Sequence, residues 1–351
     1  MTFRNTALPM TFVCLPLWLA GCSTPSVTTA TVAPSAQASA APSSPVAPAS
    51  PMPAPSVAAL PVSNRPANEA GLVPILEYHR ITKKPTRYDR TAADFREDLE
   101  RLRREHYRPV ALQDLLAGKM NLPKGASPVV LTFDDADATQ FRYLPMSDID
   151  PDCAVGILQA FAKKYPDFPV VATFYVLPES AFGVAKDRAA KFKHLRDIGC
   201  EIGNHTVTHR SLKSLTDAQV QAELGGAVQK INAILPDTSV TSVALPMGIS
   251  PKSAALLARG TFAGRPYMNA SVLLVGANPS PSPYSENFDP MRLPRIQAVE
   301  GESGITDWLN KLGKSSVYVS DGDDTTVSVP ANNAAIIASA RLRGRRVVTV
   351  P

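Results

Sequence analysis

The sequence predicts an α/β protein whose strands form one parallel sheet or barrel in a single domain, and three observations predict it. Short apolar runs alternate along the chain with amphipathic stretches of helical spacing. Several of those runs close on His or Asp, the residues expected where strands reach the site-bearing edge of such folds. A chain of 351 residues is also long enough to bury a substantial core.

The elements follow in order. "LVPILEYH" (72–79) is a buried-strand run that ends in polar residues. "TAADFREDLERLRREHY" is a helix, with Thr91 and Asp94 suited to its N-terminus and Phe95, Leu99 and Leu102 on one face. "SPVVLTFDD" (127–135) is a second strand with two acids at its end, followed by a long insertion holding the helix "CAVGILQAFAKKY". "PVVATFYVL" is a strand, "AAKFKHLRDIG" a helix and "CEIGNHT" (200–206) a strand again. Thr216 and Gln219 form a capping box at the head of a long helix that runs to Leu235. "TSVALPMG" (241–248) is one more strand, and "LPRIQAV", "SVYVS" and "RRVVTVP" complete the tail.

Ahead of this domain, assigned to residues 71–351, the composition changes. Residues 1–22 carry Arg4, a short apolar middle and small residues before Cys22, a pattern for secretion rather than for a span. Leu19-Ala20-Gly21-Cys22 resembles a bacterial lipobox, which implies lipidation of Cys22 and a membrane anchor. Ser23 follows where an Asp would favour the inner membrane, so the expected location is the outer membrane, facing the periplasm or the cell surface. Residues 23–70 are read as an Ala/Pro/Ser/Thr-rich tether, uncharged as far as Asn64, which cannot bury enough apolar surface to order itself. Extended at ~3.1 Å per residue, the roughly forty residues of its uncharged part would reach about 120 Å.

The net charge of +5 is modest. Without clustered Lys/Arg interleaved with aromatics, nucleic-acid binding is not expected, and a monomer is. Arg341, Arg343, Arg345 and Arg346 are read as the end of a helix before the last strand. Cys153 and Cys200 are free to form a disulfide in an oxidising compartment, though a core of this size does not need one. "DIDPDC" (148–153) starts like a calcium loop but has Cys153 where Gly is required. "SDGDD" (320–324) is read as a hairpin turn, and His106 and His194 as surface residues of helices.

The chemistry converges on a few residues. Adjacent carboxylates Asp134 and Asp135 at the end of an apolar strand are costly unless something positive faces them. Strand alternation also sends them to opposite sides unless the chain bends. "HTVTH" contributes His205 and His209, and one carboxylate with two imidazoles is a three-ligand set for a catalytic zinc with an open position.

"LTFDD" and "GNHTVTH" resemble the first two motifs of the NodB-type polysaccharide deacetylases, carbohydrate esterase family four. That resemblance implies a distorted (β/α) barrel that removes acetyl groups from N-acetylhexosamine polymers, peptidoglycan or an exopolysaccharide, with a divalent metal, usually Zn2+. Carried over by position, Asp135, His205 and His209 would hold the metal and Asp134 would be the general base. Thr206 would steady the loop.

The third motif departs from the family's. "ALPMG" has Ala244 where an Arg is usual, so the Met247 amide is left to stabilise the oxyanion, and the guanidinium would come from Arg292 or Arg295, of which Arg295 is preferred. No histidine follows His209, so the family's usual acid is lacking there. "LEYHRI" resembles the permuted poly-N-acetylglucosamine deacetylases, which makes His79 the general acid, with Glu77 on the same face to orient it. Two other readings stand beside this one: an esterase removing O-acetyl groups, and an inactive glycan-binding protein on the same fold.

Overall fold

The computed structural model describes residues 63–313 and 316–351, without the side chain of Ser147. The secretion segment, Cys22 and the tether as far as residue 62 lie outside the described residues. The tether boundary at residue 70 needs correction, because Ser63, Asn68, Glu69 and Ala70 are buried. Asn68 exchanges backbone hydrogen bonds with Val319, and the Glu69 carboxylate accepts from the Tyr318 hydroxyl at 2.7 Å and the Ser328 amide at 2.9 Å. Residues 68–70 are therefore pinned by partners nearly the whole domain away.

Strand β1 (Ile75–Tyr78) is followed by helix α1 (Ala92–Arg104), β2 (Tyr107–Pro109), α2 (Leu112–Ala117) and β3 (Ser127–Phe133). Next come α3 (Ala154–Lys164), β4 (Thr173–Val176), α4 (Arg188–Asp197), β5 (Glu201–Asn204), α5 (Asp217–Ile234) and β6 (Ser242–Ala244). The chain then forms α6 (Ala255–Ala258), the antiparallel hairpin β7 (Arg259–Phe262) and β8 (Arg265–Met268), and β9 (Ser271–Leu273). Last are β10 (Ile296–Gln297), α7 (Ile305–Leu312), β11 (Thr326–Pro330) and β12 (Arg346–Val350).

The main sheet runs β10-β1-β3-β4-β5-β6-β9, all parallel, with β2 added alongside β3. It curls until its edges meet, since Leu293 bridges Leu273 of β9 just before the chain enters β10. Gly276 sits at that junction, where a Cβ would come within 1.6 Å of the Arg295 carbonyl, so no larger residue fits. The parallel sheet expected from the strand order is therefore present, curled as the distorted barrel that the resemblance implies. Every strand end listed above as chemistry-bearing lies on one rim.

Register explains which side chains reach that rim. Tyr78, Phe133 and Phe174 are neighbours across β1, β3 and β4 and stack at 5.3 and 4.7 Å on the helix-facing side, where Phe95 of α1 meets them. Alternation then turns Glu77, His79, Thr132 and Asp134 to the inside. Capping boxes start α1 at Thr91 and α5 at Thr216, as the sequence indicates.

Cys153 and Cys200, whose pairing the sequence leaves open, are both free and buried, and the Cys153 sulfur caps α3. Several expectations fail locally. Residues 320–324 do not form a hairpin turn, because β11 pairs in parallel with β12 rather than folding back on the preceding run. Two 3-10 turns, Ala331–Ile336 and Ser339–Arg341, precede β12 in place of the expected helix, and Arg341 and Arg343 use their guanidinium groups on the carbonyls of Phe288 and Leu116. His106 lies beyond α1 in a left-handed conformation, and His194 is half-buried, bonded to Gln159 at 3.1 Å. Among the described residues no helix is long and apolar enough to cross a membrane.

Candidate active site

Asp134 follows β3 and is buried, as is the group that faces it. Arg295, immediately before β10, donates through both terminal nitrogens to the two Asp134 oxygens at 2.7 Å each. Its remaining donors reach the Leu274 carbonyl at 2.8 Å and Thr132 Oγ1 at 3.1 Å, and Glu77 Oε2 lies 3.4 Å from Nε. Burial alone would push the Asp134 carboxyl up, but the guanidinium, helped by His205, holds it well below the usual carboxylate range. Arg292 ends a 3-10 turn and is exposed. Of the two arginines considered, Arg295 alone meets the acid.

Asp135 escapes strand alternation by leaving the strand. Its φ is 71° and that of Ala136 is 50°, both left-handed, so the carboxylate swings to the rim while Asp134 stays inside. Asp135 Oδ1 is 3.4 Å from His205 Nε2 and 3.4 Å from His209 Nε2. His205 Nδ1 lies 2.9 Å from the Ala244 carbonyl, which can only accept, so the proton belongs on Nδ1 and the Nε2 lone pair is free. Ala244, where the resembled family has Arg, thus contributes its backbone to orienting the first imidazole.

The loop between the imidazoles is held at several points. Thr206 (φ 70°) donates its amide to Asn204 Oδ1, and its hydroxyl accepts from the His209 amide at 3.0 Å, which is the steadying contact expected of it. Glu223 of α5, which pattern reading missed, accepts from the amides of Val207 and Thr208 and from the Thr208 hydroxyl. A Glu on the buried face of a helix was the available signal. Burial lowers the His205 imidazole but Asp134 and Asp135 outweigh it, for a net rise; His209, with burial and the neighbouring His205 against it, falls.

Three ligand atoms from Asp135, His205 and His209 lie within 4.8 Å of one another. One free imidazole lone pair, a second imidazole and a carboxylate held below its usual range by His205 after the opposing effect of burial are the donor set a divalent ion requires. The side chains present therefore fit a metal.

His79, at the end of β1, reaches the same cleft from the opposite end of the chain. Its Nε2 is 3.8 Å from Glu77 Oε1, a buried oxygen with no hydrogen-bond partner among the described residues. The cleft has a volume of about 310 Å3. Apart from the site's acids and histidines, its walls are Tyr88, Leu245, Met247, Val275 and Gln297. Met247 holds φ 55° at this wall. Larger hollows exist elsewhere, such as one of about 600 Å3 beside Glu69 and Arg345, but neither imidazoles nor the acid pair line it.

Comparison with known proteins now has a geometry to be set against. Residues 121–261 match the polysaccharide deacetylase family. Those residues hold Asp134, Asp135, His205, His209 and Met247; His79 and Arg295 lie outside them. A chitooligosaccharide deacetylase of Sinorhizobium fredii is 30% identical over 125 residues, which are 36% of this chain and 49% of that protein. The chain thus spans about half the length of this curated relative. Among solved structures, a polysaccharide deacetylase from Bacillus cereus superposes with a TM-score of 0.50 at 18% identity over 69% of each chain. A Streptococcus pyogenes deacetylase solved with acetate gives 0.51 at 18% identity, over 69% of this chain and 98% of the other. At these identities the likeness to both is one of fold.

Proposed function

We propose that this chain, which carries a polysaccharide deacetylase domain, is a metal-dependent hydrolase that removes N-acetyl groups from an N-acetylhexosamine polymer at the cell envelope. One observation carries the reading: a buried acid clamped by an arginine stands beside a converging Asp-His-His set, with a third histidine across the same cleft.

Asp135, His205 and His209 would hold the ion, most suitably Zn2+, whose contribution is to make a bound water ionise near neutrality and to polarise the acetyl carbonyl. Asp134 accepts the proton of the attacking water. Arg295 keeps that carboxylate ionised and fixes both oxygens; it also weakens the acid as a base, which suits only a water already made acidic. The Met247 amide, at a cleft wall in a left-handed turn, is assigned to the developing oxyanion. His79 donates a proton to the departing nitrogen, without which an amine leaves poorly. Glu77 orients the imidazole from below.

The envelope location rests on the N-terminal pattern, lipidation of Cys22 being the proposed anchor. The O-acetyl esterase reading keeps the same site but has less use for an acid at His79. Arg295 restores the guanidinium that "ALPMG" lacks, which removes the main argument for an inactive glycan binder.

Acetate release from defined N-acetylated and O-acetylated glycans, with and without a chelator, tests the proposal. Release from the N-acetylated set, lost on chelation and recovered with zinc, is the expected result. Release that survives complete metal removal would sink it.

A further inference from the structure

Gln140 belongs to no motif, yet its side chain joins the two strand ends on which the chemistry depends. It is fully buried, in the turn that follows Asp134 and Asp135. Its Nε2 donates to the backbone carbonyl of His79 at 2.7 Å and to that of Asp134 at 2.5 Å. Two acceptors on one atom settle which end is the amide nitrogen, since a carbonyl oxygen there would face two others. Oε1 has no hydrogen-bond partner among the described residues. A buried polar atom left unpaired costs about 1–3 kcal/mol, so the side chain is kept for what its other end does.

The same turn grips the segment after β1 a second time, because Thr139 Oγ1 accepts from the Ile81 amide at 3.1 Å. The turn is itself braced by Asp137, whose Oδ1 accepts from the Thr139 amide at 2.8 Å. The Asp134 carbonyl that Gln140 holds precedes Asp135, the residue whose left-handed φ splits the acid pair between Arg295 and the imidazoles. The His79 carbonyl fixes the peptide from which that imidazole projects.

We propose that Gln140 is a positioning residue that sets the bend at Asp134–Asp135 and the placement of His79 together, so that one amide group couples the metal carboxylate to the acid. The inference rests on the deacetylase reading for its activity test but not for its metal test.

Gln140→Leu removes both donors, and Gln140→Glu keeps the volume with at most one. In the full chain loaded with zinc, acetate release from an N-acetylated glycan is expected to fall about 10–100-fold in kcat, with KM little changed. An ester leaves without a strong acid, so the ratio of N-acetyl to 4-nitrophenyl acetate turnover should fall by about tenfold or more. Zinc affinity, read by competition with a chromophoric chelator, should weaken by about tenfold. An unchanged ratio together with unchanged zinc affinity in a folded variant would overturn the proposal, because a merely structural loss lowers both substrates alike. Should Leu fail to fold, the Glu variant decides. If the unmutated protein releases acetate from neither substrate, deacetylation is the reading that fails, and zinc affinity alone still decides the role of Gln140.

Discussion

Arg295 is the residue on which the site's electrostatics turn. Three buried groups meet there, Asp134, Glu77 and the guanidinium, and each would cost several kcal/mol to desolvate alone. One bidentate pair to Asp134, a carbonyl and a hydroxyl engage the arginine's fork, and the triad carries one net negative charge if both acids ionise. Burial lifts the Glu77 carboxyl against the opposing pull of Arg295, while Asp134 is driven down. Ionised Asp134 therefore stabilises the fold above the ordinary carboxylate range and loses that effect as pH falls through its lowered value. Arg295→Met is expected to cost about 3–5 kcal/mol of stability, measured by denaturant unfolding, since it strands buried charge. In whatever folded enzyme remains, the acid limb of kcat/KM should move to higher pH, because the base then protonates earlier. The sequence offered two arginines three residues apart; burial at one and exposure at the other separates them.

Elements contribute by where they stop. β1, β3 and β5 end within a residue or two of His79, Asp134 and His205, and parallel pairing brings those ends to one rim. The loop from His205 to His209 has its amides tied to Glu223 on the neighbouring helix, so α5 sets the second imidazole from behind. Glu223→Ala leaves two amides without their acceptor and should destabilise the fold by about 1–3 kcal/mol. Zinc affinity should drop by about tenfold, read by calorimetric titration of the metal-free chain. The long periodic helices and strands were legible because their burial pattern repeats. The missed ones, β2, α2, α6, the β7–β8 hairpin, β9, α7 and β11, are short, and several owe their form to contacts made elsewhere. The hairpin lies on α5, where Gly225 leaves room for Phe262; a Cβ there would come within 2.6 Å of it.

At the scale of the whole molecule, the first of the described residues are tied to a segment about 250 residues later. Residues 63–70 pack against the segments before and within β11, and Glu69 is caught between Tyr318 and Ser328. Burial lifts the Glu69 carboxyl to about 7, the Tyr318 and Ser328 hydrogen bonds offsetting only part of the rise. A carboxyl raised on folding contributes most below its unfolded value of 4.5, and that contribution is lost as pH rises towards 7. The difference amounts to about 3 kcal/mol at most. Glu69→Gln should flatten this part of the stability profile between pH 4.5 and 7, followed by unfolding at a series of pH values. An unaltered slope would show that the charge is tolerated there.

The sequence by itself indicated the fold class, because periodicity is a local property, and displayed the two motif halves "LTFDD" and "GNHTVTH"; His79, Arg295 and Met247 became candidates for catalytic roles only through the family those motifs resemble. It could not say that Asp134 and Asp135 part company, since only a left-handed bend overrides alternation. Nor could it find Gln140 or Glu223, which belong to no pattern and act through backbone groups that only the fold brings within hydrogen-bond distance. Tertiary structure decided those matters. A curled sheet brings residues 79, 134, 205 and 295 to one rim, and burial then ranks the charges that remain. "GCEIGNHTVTHR" supplies two imidazoles, and the carboxylate between them comes from a strand seventy residues earlier.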